Sequence, residues 1–240
     1  MRIRRTLALL VCITTPPPVS APLLLAQSLD SINTVHHHRV SGKQAAFAGI
    51  LLLTSGLADQ GLREELQEHR SGVTNSVARL GNTLGDPLYV ISGIGVGLLA
   101  GELSGNKELA HLAWRVGSAA ALASGVTTVL KYTVGRTRPT HGDSDDFEPF
   151  GGGTSFPSGH TTLAFAVATA IADESRNGWV DAAAYGAATL TAYARVNNDR
   201  HWASDVVAGA LVGHLSARWL SRGDATLRIA PGGVGLSFGF

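Results

Sequence analysis

The chain has 240 residues, of which 45% are apolar and 15% charged, and its net charge is +1. That balance excludes a chain-wide electrostatic case for nucleic acid, so any anion site must be built locally. The charged fraction is below the roughly one quarter usual for soluble domains, and the apolar residues are mostly Ala, Leu, Val and Gly, which points to closely packed helices in water or in lipid.

Residues 1–26 read as an export signal: a basic start at Arg2, Arg4 and Arg5, an apolar stretch from Leu7 to Ile13, and a second from Pro22 to Ala26, with cleavage after Ala26. Leu24 stands where such sites prefer a small residue, and the alternative is an uncleaved membrane anchor. Cys12, the only cysteine, lies inside this segment, so cleavage would leave a chain without thiols, which suits an oxidising compartment. Residues 27–44 form a polar linker. Its run His36-His37-His38 is of a kind that can bind metal, but we read it as linker.

From residue 45 the pattern predicts helices over about 45–58, 62–80, 87–104, 107–132, 160–174, 179–197 and 202–221, with breaks at Gly61, Asp86-Pro87, Ser104-Gly105, Pro139 and Gly178. The 62–80 stretch is amphipathic, with Leu62, Leu66, Val73, Val77 and Leu80 among charges. Residues 139–157 are a long loop carrying Asp143, Asp145, Asp146 and Glu148, read as solvated. In the tail, 223–240, Val234, Leu236, Phe238 and Phe240 alternate with Gly and Ser, the period of an extended strand. The first and third apolar stretches have about fifteen residues, short of the ~20 a membrane span needs. Three spans after a cleaved signal would also put Lys131 in the cytoplasm. An exported soluble or peripheral protein is the simpler expectation; six spans with an outward-facing site is the alternative.

Three clusters carry chemistry. Lys131 ends an apolar helix, and Arg138-Pro139 follows seven residues later; Arg matches phosphate oxygens with its planar fork and Lys adds a point charge. In Phe156-Pro157-Ser158-Gly159-His160, Ser158 is placed as the N-cap of an apolar helix whose free N–H groups would bind an anion, and Gly159 admits a ligand to the backbone. Arg195 precedes His201 by six residues, and Asp205 follows His201 by four, so that on a helix the two would share a face and the carboxylate would fix the imidazole tautomer. Each cluster alone has a bland reading: a solvated helix end, an ordinary capped helix, a surface ion pair. Together they supply cations, an N–H anion site, two histidines and an orienting carboxylate, a set suited to phosphoryl transfer. Arg136 is read as a solvated cation, Asn197-Asn198-Asp199 as a turn joining Arg195 to His201, and Phe147, Phe150 and Phe156 as loop anchors or contacts to an apolar substrate.

The order Lys131-x6-Arg138-Pro139, Pro157-Ser158-Gly159-His160, Arg195-x5-His201-x3-Asp205 resembles the type 2 phosphatidic acid phosphatase (PAP2) superfamily, which includes bacterial acid phosphatases and vanadium haloperoxidases. The motifs cover 131–205, and the helical pattern extends the likeness to about 45–222. The resemblance implies an all-α bundle with its site at one end and a short extended C-terminal tail. It implies that His201 attacks phosphorus to form a phosphohistidine, that Asp205 orients it, and that His160 protonates the leaving alkoxide and then activates water. Lys131, Arg138, Ser158, Gly159 and Arg195 would hold the phosphate oxygens, with no metal or other cofactor. Ala194 departs from the family's usual Ser before the third-motif Arg, which puts the orientation of Arg195 in doubt. The function implied is hydrolysis of phosphomonoesters or lipid (pyro)phosphates in the periplasm or cell envelope, with membrane association as an option and no nucleic-acid partner. A vanadium haloperoxidase and a non-catalytic envelope protein of the same fold are the alternatives.

Overall fold

Local capping signals divide the chain into helices, and the computed structural model describes residues 6–11, 42–221, 225–230 and 233–239. Seven helices lie among the described residues: α1 (Gly42–Glu68), α2 (Gly72–Leu84), α3 (Pro87–Ser104), α4 (Lys107–Val134), α5 (Gly159–Glu174), α6 (Gly178–Asn197) and α7 (Ala203–Ser221). Ser71 opens α2 with a reciprocal capping box: its Oγ accepts from Thr74 N, and its N–H donates to the Thr74 hydroxyl. Asp86 caps α3 through Leu88 N, with Pro87 at the first helical position. Asn106 and Asn177 cap α4 and α6.

The helical class is as the sequence implies, with one misplaced break. Gly61 does not end the first helix, which runs on to Glu68; the break falls at Arg70-Ser71 instead. A mid-helix Gly costs only about 1 kcal/mol, whereas the Ser71 box creates a new start. The stretch expected at 62–80 is therefore split between α1 and α2. The period-two tail is extended as expected: β2 (Ala225–Ala230) and β3 (Gly233–Gly239) pair antiparallel, and β3 also pairs with β1 (Thr6–Val11), a segment inside the expected export signal. The His run at 36–38 lies outside the described residues.

Helix α5 is the centre of the bundle and packs against α4, α6 and α7. Around it, α2 lies on α6, α3 on α4, and α1 on α7. The core is built of small residues: Ala166 and Ala170 of α5 meet Val116, Ala119 and Ala123 of α4 and Ala217 and Leu220 of α7. Small side chains let the helix axes approach closely, and that approach fixes the end of the bundle where the loop before α5 meets α7. A Cβ at Gly213 of α7 would collide with the Thr162 carbonyl of α5 and come within 2.8 Å of the Ala166 nitrogen.

The outer helices expose large apolar side chains. On α1 these include Phe47, Ile50, Leu53 and Leu57; on α3, Leu88, Ile91, Val96, Leu99 and Leu103. Ala45–Glu68 (24 residues, mean hydropathy 1.3) and Pro87–Ser104 (18 residues, mean hydropathy 1.4) are long and apolar enough to cross a membrane. The fifteen-residue estimate from sequence was too short for both, because helix extends beyond each apolar run.

Because Gly213 faces backbone that cannot yield, Gly213→Leu should destabilise by more than the ~1–3 kcal/mol of ordinary core overpacking. A thermal melt is the check, and an unshifted midpoint would contradict the close α5–α7 contact.

Candidate functional site

Helix α4 ends at Gly135, whose left-handed backbone (φ 62°) lets the chain turn sharply. The chain then runs back on itself. Glu148 N donates to Gly135 O (3.0 Å), Thr137 N to Asp146 O (3.0 Å) and Ser155 N to Arg136 O (2.9 Å). The acidic loop is therefore pinned across the first cluster. Phe150 meets Tyr132 edge-on, with ring centroids 5.3 Å apart, and Phe147 lies under the Arg136 guanidinium, so both anchor the loop. Lys131 Nζ donates to Thr154 O (2.5 Å) and Pro157 O (2.6 Å), which ties the end of α4 to the segment entering α5.

Arg136 is the principal correction to the sequence reading. It is not solvated but 3% exposed. Its Nη1 donates to Asp205 Oδ1 (2.7 Å) and Ser204 Oγ (2.6 Å), and its Nη2 donates to Asp59 Oδ2 (2.7 Å) and the Ser144 carbonyl. Asp59, Ser204 and Ser155 were not foreseen as part of this region. A signal for Asp59 existed, since it is a carboxylate directly after the apolar run 45–58. The two serines carried none.

His201 does not share a helical face with Asp205, because α7 begins only at Ala203. His201 sits in the bend before the helix, and Asp205 lies in the first turn, where its Oδ2 accepts from Trp202 N (2.9 Å). The imidazole is held mainly by a backbone carbonyl: His201 Nδ1 lies 2.8 Å from Ser155 O and 3.6 Å from Asp205 Oδ2. Ser155 in turn donates its hydroxyl to Asp205 Oδ2 (2.5 Å). A carbonyl can only accept, so Nδ1 carries the proton and Nε2 keeps its lone pair. Asn197 ends α6, and Asn198 and Asp199 form the turn expected there. Asp199 adopts φ 56°, a conformation that Asp tolerates, and accepts both arms of Arg63 (2.7 and 2.8 Å).

Arg138 and Arg195 each bury an Nε that has no hydrogen-bond partner among the described residues. The two cations lie near one another and near Lys131 and His160, since each lowers the proton affinity of those groups. Arg195 Nη1 donates to Asn82 Oδ1 (2.9 Å), so Asn82 of α2 orients Arg195 where Ala194 cannot. Ser158 occupies the N-cap of α5 but makes no side-chain cap; its Oγ accepts instead from Thr161 Oγ1 (3.0 Å). The first N–H groups of α5, from Gly159 and His160, thus stay uncapped beside the two guanidinium groups. Gly159 is close to Lys131: a Cβ there would stand 3.8 Å from Lys131 Cε.

Burial, reinforced by this positive field, pushes Lys131 down to about 8 and His160 down to about 4. Burial likewise pushes His201 down to about 4, against the opposing pull of Asp205. The carboxyl of Asp205 stays below its ordinary value despite burial, held there by His201, Arg136 and Ser155. At neutral pH the site therefore combines a neutral imidazole, an ionised carboxylate and unpaired cationic donors, an arrangement able to stabilise a phosphate dianion and present a nucleophile to it.

A groove of about 540 Å³ leads away from this end of the bundle. Lys131, Gly159 and His160 stand at one end, and Ile91, Ala121 and Leu163 are among its apolar walls between α3, α4 and α5.

Residues 112–228 match the PAP2 superfamily, which takes in Lys131, Arg138, Ser158, His160, Arg195, His201 and Asp205. The chain is similar to the lipid A 1-phosphatase of Porphyromonas gingivalis, at 42% identity over 106 residues; the match covers 42% of this chain and 22% of that protein, so the chain spans about a fifth of its curated relative. Among solved structures it resembles Aquifex aeolicus LpxE (TM-score 0.55, 22% identity, covering 68% of this chain and 94% of that one). It also resembles a transmembrane PAP2-type phosphatidylglycerolphosphate phosphatase from Bacillus subtilis (TM-score 0.54, 20% identity, covering 74% and 94%). These two share the fold.

The depressed His201 makes a signed prediction. Between pH 6.5 and about 4 the unfolded chain takes up a proton that the folded site refuses, so stability should fall as pH drops through that window. The loss should be on the order of 1–3 kcal/mol, with His160 acting in the same direction. Urea midpoints at several pH values test this; His201→Ala should show a flatter dependence, and an equally steep one would refute the assignment.

Proposed function

We propose that this chain is a metal-independent lipid phosphatase acting through a phosphohistidine. The observation that carries the reading is the pair of buried, unpartnered guanidinium nitrogens, Arg138 Nε and Arg195 Nε, beside the uncapped start of α5. Donors buried without partners are costly, and a phosphate group satisfies them together. His201 Nε2, unprotonated because Nδ1 donates to the Ser155 carbonyl, attacks phosphorus. The leaving oxygen takes a proton from His160. A bound dianion raises the proton affinity of His160 and so supplies that proton at a pH where the empty site lacks it. Water, deprotonated by His160, then attacks the phosphohistidine, and phosphate leaves. Lys131 contributes charge and holds the 154–157 segment in place.

The lipid substrate class rests on the apolar groove that starts at His160 and Lys131 and on the exposed apolar faces of α1 and α3. The named relative acts on lipid A, which is consistent with this class. The same faces support a membrane-inserted protein of the cell envelope over the exported soluble one expected from the sequence, with the site end turned to the periplasm. The remaining alternative is a soluble phosphate ester.

The test is phosphate release with EDTA present, from a lipid phosphate in mixed micelles and from a soluble chromogenic ester, with and without vanadate. Turnover of the lipid, blocked by vanadate, is expected; turnover of the ester alone would overturn the lipid class, and dependence on added metal would overturn the mechanism. His201→Ala should lower kcat by at least about 10³-fold, the scale of losing a nucleophile, and a rate near wild type would rule out its role. His160→Ala should harm poor leaving groups far more than good ones; a uniform loss would remove its acid role.

A further inference from the structure

Asp59 lies on α1, well before the PAP2-matched segment, and is 1% exposed. Its Oδ1 accepts from Ser204 N (2.8 Å), and its Oδ2 accepts from Ser204 Oγ (2.5 Å) and Arg136 Nη2 (2.7 Å). Through Arg136 it is one residue removed from Asp205, whose other oxygen faces His201. A carboxylate in a helix apolar enough to enter a bilayer is expensive unless it is paired, and such residues tend to serve a site.

Charge distribution gives the reason. Arg136 is shared between two carboxylates, one per terminal nitrogen, and is flanked by the Phe147 and Trp202 rings at 5.0 and 5.4 Å. One guanidinium and two carboxylates leave one net negative charge beside His201. Were Asp59 neutral, Arg136 would be balanced by Asp205 alone, and the negative charge that assists the Ser155 carbonyl in keeping the His201 proton on Nδ1 would weaken. Asp59 also anchors Nη2, so Arg136 reaches Asp205 through Nη1 and Oδ1, and Oδ2 is left to accept from Ser155 Oγ and Trp202 N at 3.6 Å from the imidazole.

We propose that Asp59 is a positioning residue for the site: by taking half of the Arg136 fork, it preserves the negative charge that Asp205 presents to His201. The kinetic consequence rests on the phosphatase reading, but the spectroscopic one does not. The full chain in detergent, ¹⁵N-labelled at histidine and with His201 assigned through His201→Gln, would be compared at neutral pH with Asp59→Asn and with Asp59→Asn/Arg136→Gln. The double variant again leaves one net negative charge.

The wild type should show His201 as a single Nδ1–H tautomer, and Asp59→Asn a mixture. In Asp59→Asn, kcat should fall about ten- to a hundredfold, the scale of losing an orienting partner, with KM changed by less than about threefold. The double variant should recover the single tautomer, which a merely structural role for Asp59 would not allow. A folded Asp59→Asn protein with the wild-type tautomer and kcat would overturn the proposal. If Asp59→Asn does not fold, the double variant decides alone, and a tautomer mixture in it is the overturning result. If no phosphate ester is turned over by the wild type, the phosphatase reading fails, and the tautomer comparison still decides the role of Asp59.

Discussion

The site end of this bundle depends on one buried cation. Arg136 joins α1, the loop after α4, and the first turn of α7 through Asp59, the Ser144 carbonyl, Ser204 and Asp205. Removing one partner from a buried ion network is severe, because a charge is left in a medium that cannot solvate it. The network is fully paired, and so it fixes where α7 starts relative to the loop. The position of His201, two residues before that helix, follows from it.

A contrast in hydrogen bonding marks the functional half of the site. Arg136 uses every nitrogen, whereas Arg138 and Arg195 each leave an Nε without a partner although buried. These buried cations differ in satisfaction, not in burial, and on the proposed reading that difference separates a structural cation from phosphate-binding ones. The same distinction separates Ser71, which caps its helix, from Ser158, which holds the cap position without capping. On the proposed reading, an uncapped helix start beside two unsatisfied guanidinium groups would serve as a preorganised anion site whose donors need no rearrangement when phosphate arrives.

Small residues link this chemistry to the bundle. Alanine and glycine at the α5–α7 and α4–α5 contacts bring the helices close, so the loop before α5 lies directly against α7, and Ser158 N donates to Asp205 O (2.9 Å). On the outside, α3 packs on α4, and a groove lined by both and by α5 opens beside His160. Tight packing thus holds the start of α5 against α7, while the groove beside it has apolar walls.

The residue order alone determined the helical class and most helix limits, and it singled out the three motif clusters that the fold brings to one end of the bundle, because caps, apolar periodicity and motifs are local signals. It did not determine the role of Arg136, which looks the same in sequence whether solvated or buried, nor the Ser155 carbonyl that holds His201, because a backbone acceptor leaves no mark in the side-chain sequence. It misplaced the end of α1, where the capping box at Ser71 mattered more than Gly61. It ranked Ala194 as a weakness that Asn82, more than a hundred residues earlier in the chain, makes good. Only the tertiary structure decided these points, since each turns on a contact between segments far apart in the chain, and burial, not residue type, sets whether a charge is solvated, paired or left open for a ligand.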